Sequence, residues 1–459
     1  MLSRIVLAFA LVGLILPMAS APTAQGATPA QIEGAIEDGL AWLAAQQRPD
    51  GSWGDYDYTQ AATGLVVLKF EERANDLGLS PFDPAYPYRQ QVEAGLNYLF
   101  SSMQVAGGLV QIGGSYPVYN TGIGMMALTA SRNPARTVPP LGGAVDGWTY
   151  NAALQGMLDW MEDAQNDSGC EIGGWGYDAN YVGWSDNSNS GYATMGIGYA
   201  ITPAYGFGLT VDPSVLTKLS TFIDNVQVAS GGSDYDPCLP GMIGENILKT
   251  GNLLYEMALV GRPLSDATVQ AALGYIESNR SAWTGDAQAM FTMMKGLEAY
   301  AIDTLTVGGE DIDWFDEVSD FIVSTQNADG SWPESYGLHL SSSWNLLTLE
   351  RVVEVPPTPV PPTPVTPTPT ATKTPTITPT PTPTATPTPT PTRTPTPDTP
   401  HPPGVGGTVM LPPGAIAAES GAAAEGSGWG TATYAALAGV GAVVAIAVGG
   451  WYARRRWLR

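Results

Sequence analysis

The chain is short of positive charge. Lys and Arg number 19 against 43 Asp and Glu, a formal net charge of −24 over 459 residues. The imbalance sits in residues 28–354, which hold 40 acidic and 12 basic side chains. Phosphate backbones need a basic face, so nucleic acid is excluded as a partner. The acidity reads instead as solubility outside a cell. Cysteine is almost absent, with Cys170 and Cys238 alone, and His339 is the only histidine of the body. A calcium-binding EF-hand is missing too: the acidic run "DIDWFDE" at 311–317 lacks the required glycine and terminal glutamate.

What is present begins with an export signal. Residues 1–27 carry one charge at Arg4, an apolar run from Ile5 to about Leu16, and small residues at Ala19 and Ala21. A second apolar run, residues 431–452, has no charge and is long enough to cross a bilayer at roughly 1.5 Å per residue. Four arginines lie in the tail at 453–459, which places that tail in the cytoplasm and the body outside. Between body and anchor runs "VPPTPVPPTPVTPTPT" and its continuation. Twenty of the chain's 39 prolines fall between Pro356 and Pro403, alternating with threonine. Such a segment favours polyproline II and, at roughly 3.1 Å per residue, spans on the order of 150 Å. The expected domain order is therefore signal peptide (1–27), folded body (28–354), Pro/Thr stalk (355–403), Gly/Ala-rich linker (404–430), membrane helix (431–452) and basic tail (453–459). Signal, stalk and arginine tail look bacterial.

The body repeats. Aromatic-apolar pairs around Trp42, Tyr98, Trp160, Phe222, Tyr275 and Phe321 recur at spacings of 56, 62, 62, 53 and 46 residues. A polar, Gly-rich loop follows each, then a small and apolar run such as "TQAATGLVVLKF" or "YNTGIGMMALTA". In "IEGAIEDGLAWLAAQQ", Ile32, Ala35, Ile36, Leu40 and Leu43 recur near the helical period. The second segment of each unit is apolar nearly all round, as a helix surrounded by neighbours must be. Six units of one partly exposed and one buried helix favour closure into a double ring, an all-α (α/α)6 toroid.

The turn "QQRPDGSWG" at 46–54 returns as "TQNADGSW" at 325–332. Gln, then Asp-Gly-Ser-Trp, then a Thr/Gly-rich apolar helix resembles the repeats of squalene and oxidosqualene cyclases and of protein prenyltransferase β subunits. Across about 320 residues, this resemblance implies an α/α toroid in which the glutamine caps helix ends and the tryptophan packs on the next unit. Trp53 and Trp332 are accordingly read as packing residues.

The family's chemistry is harder to place. Alkene-protonating cyclases use Asp-x-Asp-Asp; the nearest run here is Asp234-Tyr235-Asp236-Pro237, with proline in the last position. Prenyltransferases hold zinc with Asp-x-Cys and His, leaving Asp236, Cys238 and His339 as a weak metal set. Cys170 and Cys238, alone in an exported body, read as a disulfide, with a free pair and zinc as alternatives. The thioester loop of complement-like relatives is absent, since Cys170 sits in Ser-Gly-Cys-Glu-Ile. Asp234, Asp236 and His339 remain as catalytic candidates.

Loops ahead of the buried helices should meet at one mouth of the ring, where helix dipoles favour oxygen-rich ligands. That rim offers Asp57, Tyr58, Tyr119, Trp184, Asp186, Asn246, Tyr336 and Trp344, residue types that suit a sugar or a peptide. Loops of exported proteins are also rich in these types. The expectation is a membrane-anchored surface protein that binds an extracellular glycan or peptide and needs no cofactor. A divergent isoprenoid cyclase, a polysaccharide-acting lyase or hydrolase, and a non-catalytic scaffold are the alternatives.

Overall fold

The computed structural model describes residues 26–351 apart from 55–56, 180–183, 240, 242–243 and 335. The export signal, stalk, linker, membrane run and tail lie outside the described residues. Among the described residues, no helix is long and apolar enough to cross a membrane.

Twelve helices alternate along the described chain: α1 (Pro29–Gln46), α2 (Thr59–Asp76), α3 (Arg89–Ser101), α4 (Pro117–Ala130), α5 (Tyr150–Asp163), α6 (Asn187–Ile201), α7 (Pro213–Val226), α8 (Ile247–Leu259), α9 (Ala267–Ser278), α10 (Ala287–Ala299), α11 (Trp314–Thr325) and α12 (Leu338–Glu350). Even-numbered helices pack in order α2–α4–α6–α8–α10–α12, and α12 packs back on α2. The six therefore form a closed inner ring, with the odd-numbered helices outside it. In α2 every residue from Ala61 to Ala74 is buried, whereas α1 buries only one stripe, Ala35, Ile36, Gly39, Leu40 and Leu43. Each sequence unit supplies one helix of each kind.

Local chemistry sets where the helices start. Thr28 and Gln31 form a reciprocal capping box on α1, with Pro29 at the first turn. Asp212, Asp266 and Asp313 cap α7, α9 and α11 through their carboxylates. Inner helices approach closely where glycine removes a side chain: a Cβ on Gly196 of α6 would lie 2.7 Å from the Gly122 carbonyl of α4.

The repeated turn staples successive outer helices. Gln47 Nε2 donates to the Gly51 carbonyl of its own turn and to the Gln91 carbonyl of α3, each at 3.0 Å. Gln165, Gln227 and Gln326 do the same for their turns and for Val215, Thr268 and Ala35. The last of these bonds crosses the seam from the sixth unit to the first. Gly51 and Gly330 have positive φ, and a Cβ on either would strike a carbonyl of the neighbouring outer helix at 2.3 Å. Trp53 and Trp332 are fully buried, and their indole N–H groups donate to Leu43 and Ile322 at 2.7 Å. Trp332 packs over Gly39 of α1, so it bridges the seam.

Two units depart from the all-α reading. An antiparallel hairpin, β1 (Met103–Ala106) with β2 (Leu109–Ile112), takes the place of the second turn, and Val110 packs over Gly156 of α5. A second hairpin, β3 (Thr304–Val307) with β4 (Glu310–Asp313), precedes α11. Four-residue strands around Gly-Gly turns carry too short an alternation to separate from loop in the sequence. The acidic run at 311–317 is the end of this hairpin and the start of α11, where Asp313 caps the helix.

Candidate functional site

The residues ahead of α2, α4, α6 and α8 converge into one aromatic strip. Tyr58 stacks on Tyr116 with centroids 5.4 Å apart, and Tyr116 meets Tyr177 at 5.5 Å. Tyr177 stacks on Trp184 at 5.1 Å, and its hydroxyl lies 2.8 Å from that of Tyr235. Tyr119 meets Tyr177 at 6.1 Å from the first turn of α4. Tyr58, Tyr116, Tyr119, Tyr177 and Trp184 are all half-buried, so the strip has one side on the core and one side open. Burial, aided by Tyr116, pushes the Tyr58 hydroxyl up to about 12, which keeps it a neutral donor. Asp57 stands exposed beside it.

Other sequence candidates have structural duties. Asp186 caps α6: its Oδ1 accepts the Ser188 and Asn189 N–H groups at 2.7 and 2.9 Å, and its Oδ2 accepts Asn189 Nδ2 at 2.7 Å. Asn246 caps α8 by accepting the Lys249 N–H at 3.0 Å. Asp234 accepts the N–H groups of Tyr235 and Gly241, and Asp236 those of Cys238 and Leu239. The Trp184 indole donates to Asp236 Oδ2 at 3.1 Å. Both aspartates thus hydrogen-bond to the loop that carries them, and Asp236 also to the strip. His339 is elsewhere, 5.5 Å from Trp42 of α1 across the seam.

Cys170 and Cys238 are joined in a disulfide, with Cα atoms 5.4 Å apart. Its sulfurs are committed, so Asp236, Cys238 and His339 do not assemble as a metal site. Glu171, the carboxylate nearest those sulfurs, instead accepts the Ser185 N–H and hydroxyl at 2.6 Å.

Beneath the strip, buried side chains of the described inner helices meet one another. Gln288 of α10 donates to the Tyr192 hydroxyl of α6 at 3.3 Å. Tyr336 packs edge-on to Trp344 and donates to Asp286 at 3.0 Å. Tyr336 and Trp344, both candidates from the sequence, are buried here.

Towards the other end of the ring, Tyr199 of α6 donates to Glu72 of α2 at 3.3 Å and receives Lys295 Nζ of α10 at 2.6 Å. Tyr205 adds a second bond to Glu72 at 3.1 Å. Helices α2, α6 and α10 are not neighbours in the ring, so a network joining all three crosses its middle. Burial raises Glu72 to about 7 against the opposing pull of Lys295. Tyr192, Tyr199, Glu72 and Lys295 are each 1% exposed.

The sequence reading missed Tyr177, Tyr192 and this whole network. Tyr177 follows Trp175-Gly176 directly, a signal that was available. Tyr199, Glu72 and Lys295 sit up to 223 positions apart and carry no shared motif.

No family model and no curated protein matches the chain. Among solved structures, it is similar to the type II terpene cyclase MstE from Scytonema without ligand, at 11% identity and a TM-score of 0.43, covering 71% of this chain and 98% of that one. A variant of MstE with its product merosterolic acid A aligns at 11% identity and a TM-score of 0.45, covering 70% and 97%.

Proposed function

We propose that the ring is a binding module held outside a cell by the Pro/Thr stalk and the C-terminal apolar segment, and that its ligand is an extracellular glycan or peptide taken up on the aromatic strip. The observation that carries this reading is the contrast between the two levels of the ring. Half-buried tyrosines and a tryptophan line the mouth, while the middle is occupied by fully buried side chains. Flat rings supply apolar surface for sugar or side-chain faces, and their hydroxyls supply hydrogen bonds at small entropic cost. Net negative charge in the body disfavours polyanionic ligands.

Catalysis on lipids has less support. Alkene protonation needs a neutral acid facing a substrate cavity. Burial pushes the Glu71 and Glu256 carboxyls well above the usual carboxylate range, but each is 0% exposed and so faces no space a substrate could enter.

The test is a glycan and peptide array probed with the purified full chain and with Tyr116→Ala. Tyr116 makes no side-chain cap to α4, so its removal should leave the helix start intact. Loss of one stacked ring of about 1.4 kcal/mol should weaken a hit about tenfold. Equal binding by both proteins, or no hit in either class, would count against the strip.

A further inference from the structure

We infer that Lys69 and Glu350 become joined by an amide bond that locks the ring at its seam. Lys69 lies on α2 in the first unit, and Glu350 ends α12 in the last. Its Nζ is 2.5 Å from Glu350 Oε2, with the two side chains 0% and 4% exposed. Despite that distance, neither the amine nor either carboxylate oxygen has hydrogen-bond geometry with any partner among the described residues. An ion pair this dry needs further hydrogen bonds to offset its lost hydration, and here they are missing.

The surroundings favour the neutral forms that amide formation requires. Burial lowers the Lys69 amine and raises the Glu350 carboxyl, each against the attraction of the other. A neutral amine has a free electron pair, and a protonated carboxyl has a hydroxyl to lose. Glu72, one helical turn beyond Lys69 on α2, is the third member: its Oε2 is buried with no hydrogen-bond partner among the described residues, and its charge acts on Lys69. With its pKa near 7, Glu72 exchanges a proton readily at neutral pH. Arg73 and Asp76 also act on Glu350, and Lys295 on Glu72.

The step balances without a co-reactant. The Lys69 nitrogen adds to Glu350 Cδ; the Glu72 carboxylate takes a proton from that nitrogen and returns it to the departing hydroxyl. One C–N bond forms, one C–O bond breaks, and one water leaves. A neutral amide then stands where two charges were buried, and hydrolysis would need water to re-enter a closed site. Position gives the bond a purpose on the surface-anchored reading. The chain runs on from Glu350 to its C-terminal segment, so a pull on that segment reaches α12 first. An amide to α2 prevents α12 from peeling away.

The experiment is mass spectrometry of the full chain, shown to be helical by circular dichroism, then reduced, denatured and digested. The expected result is a peptide containing Lys69 covalently joined to one containing Glu350, lighter than their sum by one water. The double variant Lys69→Met with Glu350→Met, which keeps the site neutral and filled, should show the full unmodified mass. Glu72→Gln, helical by the same measure, should also retain the unmodified mass. Separate Lys69 and Glu350 peptides from the wild-type chain would overturn the amide and leave an ion pair. Complete joining in Glu72→Gln would overturn the assigned proton route.

Discussion

Glu256 is buried on α8 with both carboxylate oxygens lacking a hydrogen-bond partner, and Glu71 on α2 is in the same position. Desolvation alone holds the Glu256 carboxyl well above the usual range, which favours its protonated form in the folded chain over the unfolded one. The consequence for stability has a definite sign. A carboxyl whose folded pKa is raised contributes fully below its unfolded value, about 4.5, and loses that contribution as pH climbs towards the folded value. For Glu72 the window is 4.5 to about 7; for Glu71 and Glu256 it opens upward from 4.5. Each such group removes up to about 1.4 kcal/mol per pH unit across its window. Thermal melts should therefore show the chain less stable at pH 8 than at pH 5. Glu256→Met should raise the melting temperature at pH 8 and flatten the pH dependence, because an apolar side chain of similar size replaces an unsatisfied acid. A melt at pH 8 that falls on mutation would mean Glu256 is ionised and paired in the folded chain. Nothing in "LVVLKFEERAND" marks these charges as interior. Lys69, Glu71, Glu72 and Arg73 look like the polar end of an exposed helix, and only closure of the ring around them buries all four.

The glutamine turn is the element on which the outer ring depends. Gln326 Nε2 gives one bond to its own turn at 3.0 Å and one to Ala35 at 2.9 Å, the second across 291 positions of sequence. Gln326→Ala should cost about 1–3 kcal/mol, since two half-buried carbonyls lose their donor together. Equilibrium urea unfolding of the variant measures it, and an unchanged midpoint would show that water replaces the amide. The first and last turns were legible because both place Trp six positions after Gln: 47 to 53 and 326 to 332. In the third unit the interval from Gln165 to Trp175 is ten, because the segment with Cys170 is inserted between them. Trp175 nevertheless donates to Met161 at 2.8 Å as its counterparts do. The second unit escaped for a different reason. A hairpin does the stapling there, and Val110 substitutes for the tryptophan, so the interaction survives while its motif does not.

Closure of the ring separates this molecule from an open stack of repeats. In an open stack a terminal unit touches one neighbour, and its removal leaves the others folded. Here α12 packs against both α10 and α2, and α1 rests on α11 and α12. That architecture followed from counting units, since six pairs with one buried helix each leave no exposed end. The site within it did not, because its members come from different units and meet only after closure: Tyr58 with Tyr116, Tyr177 with Tyr235, Glu72 with Tyr199 and Lys295. Truncation after residue 303 is therefore a whole-molecule test. It removes α11 and α12, deprives Lys69 of Glu350, and opens the buried faces of α2 and α10 to water. The shortened chain should lose its cooperative melt altogether, with helical ellipticity well below the ten-twelfths that the remaining helices would give if they folded independently. A cooperative transition with the remaining helices intact would mean that the units stack by nearest-neighbour contacts alone. The charged residues in the middle would then tolerate exposure, which their burial in the closed ring argues against.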